Sequence, residues 1–430
     1  MRLPISDSDQ FMPITHAPTI YLYRPTSSFS VASAIETLKN SLRQALVHFY
    51  PLAGRLHWTG DGGRLELECN SMGAQLYEAE TDAKIDDFGD FRPTPELRAL
   101  IPSVDYTSPI HELPLLLVQL TKLSWGGISL GVAISHIIVD GTSALHFIGE
   151  WARIARGETL DIEPFLDRTV LLAENPRRPP RFDHAEFSDA PLLIGESDDK
   201  EERKKETSVA MLHLSKEHVE KIKKMANDGG GGSDNIRGYS KYEAVAGHVW
   251  KCASKARKHE REQLTQLRTA VNIRNRMRPP LPQGYFGNAI VIAVATSPAG
   301  ELVSRPLSYA AGRVREAIEM ITDEYARSAL DFVASQSNVG RFRSFHTAGA
   351  GCNQGFFYGN PNLAVTSWIG LPTHGTDFGW GKEIHMGPGT LGFDGKCFIL
   401  SGRDEGGSVL VALKLQTHME AFKKFFYQDI

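Results

Sequence analysis

Cysteine is scarce. Four occur in 430 residues, Cys69, Cys252, Cys352 and Cys397, far apart and with no Cys-x-x-Cys among them. Their spacing points neither to a zinc site nor to a disulfide framework, and it suits a reducing compartment. Long apolar runs are missing as well: no stretch of about 18 apolar residues occurs, so no transmembrane helix is expected. Met1–Ser6 is too polar and too short for a signal peptide. Neither sign of charge dominates, and a net charge of −4 gives no general pull toward nucleic acid or anionic membranes. Histidine clusters with metal-ligand spacing are absent. The glycine run Gly229–Gly232 lacks the strand-loop-helix context and the Lys-Ser/Thr of a phosphate-binding loop. These absences leave a cytoplasmic enzyme or binding protein, with no metal, nucleic acid or membrane as partner.

Apolar residues make up 41% of the chain, enough for a large core and two domains. Ile35, Leu38, Leu42, Ala45, Leu46 and Phe49 fall on one face of a predicted helix over Ser33–Phe49, which Pro51 ends. Leu65–Cys69 alternates as a strand with one wet face. Leu115–Leu120 and Ile128–Ile134 read as strands joined through Gly126-Gly127, a hairpin. From about Glu163 to Thr207 prolines and arginines give way to the mixed-charge run Glu196–Glu206, as in a solvated connection. Strand Met211–Leu214, helix Lys216–Ala226, helix Tyr242–Arg257, strand Val291–Ala295, a long helix within Leu307–Ala329 and strand Val409–Leu413 complete an α/β pattern.

The segment His136-Ile-Ile-Val-Asp140-Gly141 carries the most information. The apolar run Ile128–Ile134 delivers His136 to a strand end, and Asp140 and Gly141 turn the chain into a helix over Thr142–Arg156. A histidine there can serve as a general base held at the edge of a cleft. A His-x-x-x-Asp spacing alone also fits a capped loop. Near the C-terminus the chain reads Asp377-Phe378-Gly379-Trp380-Gly381, and the glycines beside Trp380 indicate a tight turn.

Together these two motifs resemble the signature of the plant BAHD acyl-CoA-dependent acyltransferases. Tyr50–Arg55, Pro279–Pro282 running into Gly284-Tyr285-Phe286-Gly287-Asn288, and Thr366-Ser367-Trp368 agree with it, so the resemblance spans almost the whole chain. It implies two chloramphenicol-acetyltransferase-like domains, each a mixed sheet with helices, with a solvent tunnel between them. The N-terminal domain would cover 1–165, with 365–395 crossing back to it. Residues 166–207 would connect it to a C-terminal domain of 208–364 and 396–430. The family carries a further strand before the Leu3–Asp9 segment, which here begins almost at Met1, as a shortened or alternative start would give.

The resemblance also assigns roles. His136 is the general base, and Thr366 and Trp368 lie close to the reacting centre. Asp140 sits on a turn four residues beyond His136, where its carboxylate tends to point away from the imidazole. The family pairs it structurally with an arginine of an Asp-x-Arg-x-Arg block, here Asn272-Ile273-Arg274-Asn275-Arg276, so Arg274 is the candidate partner. Asp377, Phe378, Gly379, Trp380 and Gly381 are read as mainly architectural, with a proton-transfer role for Asp377 as the alternative. Ser254-Lys255-Ala256-Arg257 would contact the nucleotide end of acyl-coenzyme A, a co-substrate rather than a permanently bound cofactor, and Gly284–Asn288 would line the pantetheine path. An ordinary helix C-terminus with favourable cations is the plainer reading of Ser254–Arg257.

For the acceptor, the related shikimate and quinate transferases carry an arginine two residues after the Ser-Trp pair, where Gly370 stands here. Thr15–Tyr21 and Gln416–Ile430 look most like the spermidine hydroxycinnamoyl transferases. The expectation is therefore a monomeric N-acyltransferase placing hydroxycinnamoyl groups on a polyamine, most simply spermidine. The alternatives are an O-acyltransferase using shikimate, quinate or another alcohol, and a non-catalytic family member.

Overall fold

The computed structural model describes residues 1–24, 31–60, 62–194, 205–228, 237–346, 359–403 and 407–430. The glycine run Gly229–Gly232, Cys352 and most of the charge run lie outside these.

Three sheets organise the chain. A small antiparallel sheet joins β1 (Arg2–Pro4), β3 (Arg55–Trp58) and β4 (Leu65–Glu68) in the order β1-β4-β3. A five-stranded sheet contains β2 (His16–Tyr23), β5 (Gln75–Glu80), β6 (Leu116–Lys122) and β7 (Ile128–Ser135). Its fifth member, β12 (His385–Pro388), arrives from the far end of the sequence and pairs antiparallel with β2, giving the order β12-β2-β7-β6-β5. The six-stranded sheet is built from β8 (Ser208–Leu214), β9 (Leu264–Asn272), β10 (Ile290–Pro298), β11 (Leu363–Ser367), β13 (Lys396–Ser401) and β14 (Val409–Leu415). Its order is β10-β9-β11-β13-β14-β8, with β11 parallel to both β9 and β13 and the other pairs antiparallel. The fold is α/β in two domains.

All eight residues of β7 are buried. It sits between β2 and β6, which explains why its sequence reads as an unbroken apolar run rather than an alternation. The hairpin turn before it contains Trp125 and Gly126 at positive φ. Two helices cover this region: α1 (Val31–His48) and α2 (Gly141–Ala155). Trp151 of α2 is fully buried and donates its indole N–H to the Ser41 hydroxyl of α1 at 2.9 Å, satisfying the one polar atom that burying a tryptophan strands. The six-stranded sheet is covered by α3 (Lys216–Asn227), α4 (Lys241–Arg257), α5 (Leu307–Met320) and α7 (Met419–Gln428), while α6 (Asp323–Ser335) packs against the short helical turn Asp7–Gln10.

Two expectations need correction. The long helix over Leu307–Ala329 is two helices, α5 and α6. Thr322 leaves helical geometry (φ −91°, ψ 177°) and its side chain accepts from Tyr325 N, capping α6. The carbonyls of Ile318 and Ile321 at the end of α5 accept from Arg276 at 2.8 and 2.7 Å. A threonine cap and a cation at the preceding carbonyls outweigh helical periodicity. The connection after Glu163 is also not merely a solvated strap. Arg168, His184 and Glu186 are buried in it. Glu186 accepts from Tyr325 at 2.6 Å and stands 3.0 Å from His184. Among the described residues no helix is long and apolar enough to cross a membrane.

Candidate active site

His136 follows directly on the last residue of β7, on a turn held from both sides. Its backbone N–H donates to the Thr15 carbonyl at 2.9 Å. Its carbonyl accepts from Asn288 Nδ2 at 3.0 Å, and the Ile138 carbonyl accepts from Arg168 at 2.9 Å. Both donors are anchored on one carboxylate. Asp9 accepts from Asn288 N and Nδ2 at 2.9 and 2.8 Å and from Arg168 at 3.0 Å. The Arg168–Asp9 side chains are 2% and 0% exposed, so this is a desolvated pair, and Asp9 also accepts from Ser6 N and Oγ at 2.9 and 2.7 Å. Such a pair is worth little over an apolar one but costs heavily if half of it is removed.

Burial lowers the pKa of His136. The nearby cation of Lys396 lowers it further, while the imidazole's backbone hydrogen bond and Asp140 oppose the shift. The imidazole is thus neutral at pH 7, the form that can accept a proton. Asp140 does not relay to it. Its carboxylate caps α2 by accepting from Ser143 N at 2.9 Å, takes Arg274 at 2.7 and 3.0 Å, and accepts from Ala289 N at 3.0 Å. Burial alone would raise its pKa, but Arg274 and these donors hold it below the usual carboxylate range. Gly141, the first residue of α2, has only ordinary contact with Leu371 where a Cβ would sit.

Thr366 lies on β11, opposite Phe398 of β13, with Ala364 opposite Lys396. The two-residue period of a strand puts Thr366 and Lys396 on one face. Lys396 Nζ donates to Thr366 Oγ1 at 2.8 Å and stands 4.6 Å from the Phe398 ring centroid. Trp368 packs on the same Phe398, ring centroids 5.0 Å apart. Lys396 thus bonds to Thr366 and bears by its charge on His136, and Trp368 packs on the ring that flanks it. Lys396 was absent from the candidates read in the sequence. Its signal was a lone cation opening the apolar strand Cys397-Phe398-Ile399-Leu400.

The late motif is a brace. Asp377 Oδ1 accepts from Gly379 N at 2.7 Å and Gly381 N at 2.9 Å, and its carbonyl accepts from Arg156 at the end of α2. Gly379 (φ +105°) and Gly381 (φ +103°) occupy backbone conformations that side chains disfavour. Phe378 meets Trp151 of α2 edge-on at 4.8 Å and stacks on Trp380 at 5.5 Å, and Trp380 meets Tyr23 of β2 at 5.9 Å.

The two segments expected to meet coenzyme A are paired or packed within the protein. Ser254, Ala256 and Arg257 are buried. Arg257 donates to Asp394 at 2.7 Å and to the Asn362 carbonyl at 3.1 Å. Lys255 is a quarter exposed, pairs with Asp429 and lies 5.2 Å from the Phe425 ring centroid. In the second segment Tyr285, Phe286 and Asn288 are buried. Gly284 (φ +75°) lies so close to Glu163 that a Cβ would stand 2.4 Å from its carbonyl oxygen. Phe165 N donates to the Gly284 carbonyl and Phe286 N to the Phe165 carbonyl, both at 2.9 Å. The Gly287 carbonyl accepts from Ser143 at 2.9 Å and Arg274 at 3.0 Å. This segment packs behind the His136 turn, which Asn288 holds. A separate cleft of about 590 Å³, lined by Arg2, Asp7 and Arg64 among others, includes none of these residues.

The family model described as Transferase family matches residues 1–429. A hydroxycinnamoyl-CoA:piscidic acid hydroxycinnamoyltransferase of Actaea racemosa is 51% identical over 434 residues, covering 100% of this chain and 96% of that protein. A shikimate O-hydroxycinnamoyltransferase of Nicotiana tabacum is 42% identical over 430 residues, covering 99% and 95%. Among solved structures, F. graminearum TRI101 complexed with ethyl coenzyme A superposes with a TM-score of 0.78 at 17% identity, covering 99% of this chain and 97% of that one. The matches run end to end, as the paired motifs do, and the chain belongs to the Transferase family, the BAHD acyl-CoA-dependent acyltransferases.

Proposed function

We propose that this acyltransferase moves a hydroxycinnamoyl group from its coenzyme A thioester to a hydroxyl group of a small-molecule acceptor, with His136 as general base. The observation that carries the reading is a neutral, desolvated imidazole on a turn pinned by Asn288 and Arg168. The acceptor hydroxyl gives its proton to the imidazole as its oxygen attacks the thioester carbonyl. The tetrahedral intermediate carries an oxyanion, which needs fixed donors; the Thr366 hydroxyl and the Trp368 indole are the groups at hand. Collapse expels the coenzyme A thiolate, which recovers the proton from the imidazolium. The hydroxycinnamoyl donor is supported by the whole-length likeness to the tobacco and Actaea transferases.

The polyamine acceptor draws less support. Spermidine carries several ammonium groups at neutral pH, and these would approach a site in which Lys396 is already a cation. The full-length relatives named above act, by their names, on piscidic acid and shikimate. A mass-spectrometric screen decides the matter. Purified protein is given p-coumaroyl-, caffeoyl- and feruloyl-CoA against a mixture of shikimate, quinate, piscidate and spermidine. Ester products support the reading, whereas amides of spermidine alone overturn it.

A further inference from the structure

Lys396 is a cation in a place that gives it little in return. It is lodged against the Phe398 ring with Nζ on the Thr366 hydroxyl, and among the described residues no carboxylate pairs with it. Burial pushes its pKa down to about 8, so it is still mostly charged at neutral pH but held at a cost. A lysine kept in this state without a counter-ion either neutralises or awaits an anion. Its charge bears on His136, so an anion brought to it arrives beside the candidate base. The position two residues after Trp368 offers no alternative anchor. Gly370 has no side chain, and nothing lies within 4 Å of where its Cβ would be.

Resting on the alcohol-acceptor reading above, we propose that Lys396 is the acceptor-specificity residue. Its ammonium, beside the Thr366 hydroxyl, binds a carboxylate of the acceptor and so delivers a hydroxyl of the same molecule to His136. The substrate class is then a hydroxy acid rather than a neutral alcohol or a polycation. The ion pair forms in a partly desolvated site, where one missing partner is costly, and a flexible four-carbon stem lets a single point charge meet carboxylates in more than one geometry.

The test uses the full-length protein with caffeoyl-CoA held saturating. Shikimate, quinate and piscidate are each compared with their methyl esters, in wild type, Lys396→Met and Lys396→Arg. The inference expects kcat/KM for at least one acid to fall roughly 100-fold in Lys396→Met, mainly through KM, while its methyl ester changes less than about threefold. Lys396→Arg should recover part of the loss. The acid-to-ester ratio is internal to each variant, so partial misfolding does not disturb it. Equal losses on acid and ester would make Lys396 a structural support or an oxyanion donor and overturn the proposal. Wild type that acylates esters as well as acids would overturn it too. Wild type that acylates no alcohol at all would instead overturn the reading it rests on.

Discussion

Asn288 donates its side-chain amide to the carbonyl of His136 at 3.0 Å and to Asp9 at 2.8 Å, so the candidate base is tied through one amide to a carboxylate near the start of the chain. Asp9 also holds the buried Arg168. Asp9→Asn leaves that guanidinium without its charge partner and should cost about 3–5 kcal/mol of stability. Urea melts check this. A loss below about 1 kcal/mol would show that the network is not what holds the turn.

The Asp140–Arg274 pair makes a second stability prediction. Asp140→Asn and Arg274→Gln should each destabilise by roughly 3–5 kcal/mol, and the double variant by clearly less than the sum. Asp140 titrates below its unfolded value in the folded protein. Its contribution is therefore present above the unfolded pKa and is lost as pH falls through the depressed folded one. Melts of the four proteins at neutral pH give the cycle, and additive losses would mean that the two residues act independently.

Catalytic pH dependence follows from His136. Its pKa lies below the ordinary 6.5, first because of burial and then because of Lys396. Protonation removes the base, so kcat/KM should fall as pH drops, with the acid limb below 6.5. In Lys396→Met the limb should move up while staying under 6.5, since burial remains. Among the described residues, the charges of Lys396 and Asp140 bear on the imidazole. An acid limb above 6.5 in wild type would place the base elsewhere.

Much of this was readable because it is local. The apolar run into His136, the Asp140 cap and the glycines around Trp380 each need only a few neighbouring residues. The Asp140–Arg274 pairing was legible through the family pattern rather than through spacing. Other features lie beyond a linear reading. Asp9, Arg168, Asn288 and His136 meet only when four distant segments fold together, and Lys396 gains meaning from β11 standing beside β13. Ser254–Arg257 shows the same limit. Two cations at a helix end read as a phosphate site, and no spacing announces that the fold pairs Arg257 with Asp394 and Lys255 with Asp429.

That difference separates the two cations experimentally. Arg257→Ala strands a carboxylate that is 4% exposed and should destabilise by about 3–5 kcal/mol. Lys255→Ala removes a quarter-exposed pair and should cost about 1 kcal/mol or less. Thermal melts of both rank them, and equal losses would refute the assignment.

Asp377 and His136 should separate just as cleanly in kinetics. His136→Ala removes the proton acceptor and should lower kcat by about 10²–10⁴-fold with the melting curve little changed. Asp377 holds the N–H groups of Gly379 and Gly381, while its loop wedges Phe378 against Trp151. Asp377→Ala therefore loosens α2 and the loop that delivers Trp380 to Tyr23. Its expected signature is a lowered melting temperature with kcat per folded molecule reduced less than about tenfold. Asp377→Asn keeps an acceptor oxygen for both N–H groups and should restore most of the stability. If Asp377→Asn instead matched His136→Ala in kcat at full stability, the carboxylate would be taking part in proton transfer rather than bracing the helix.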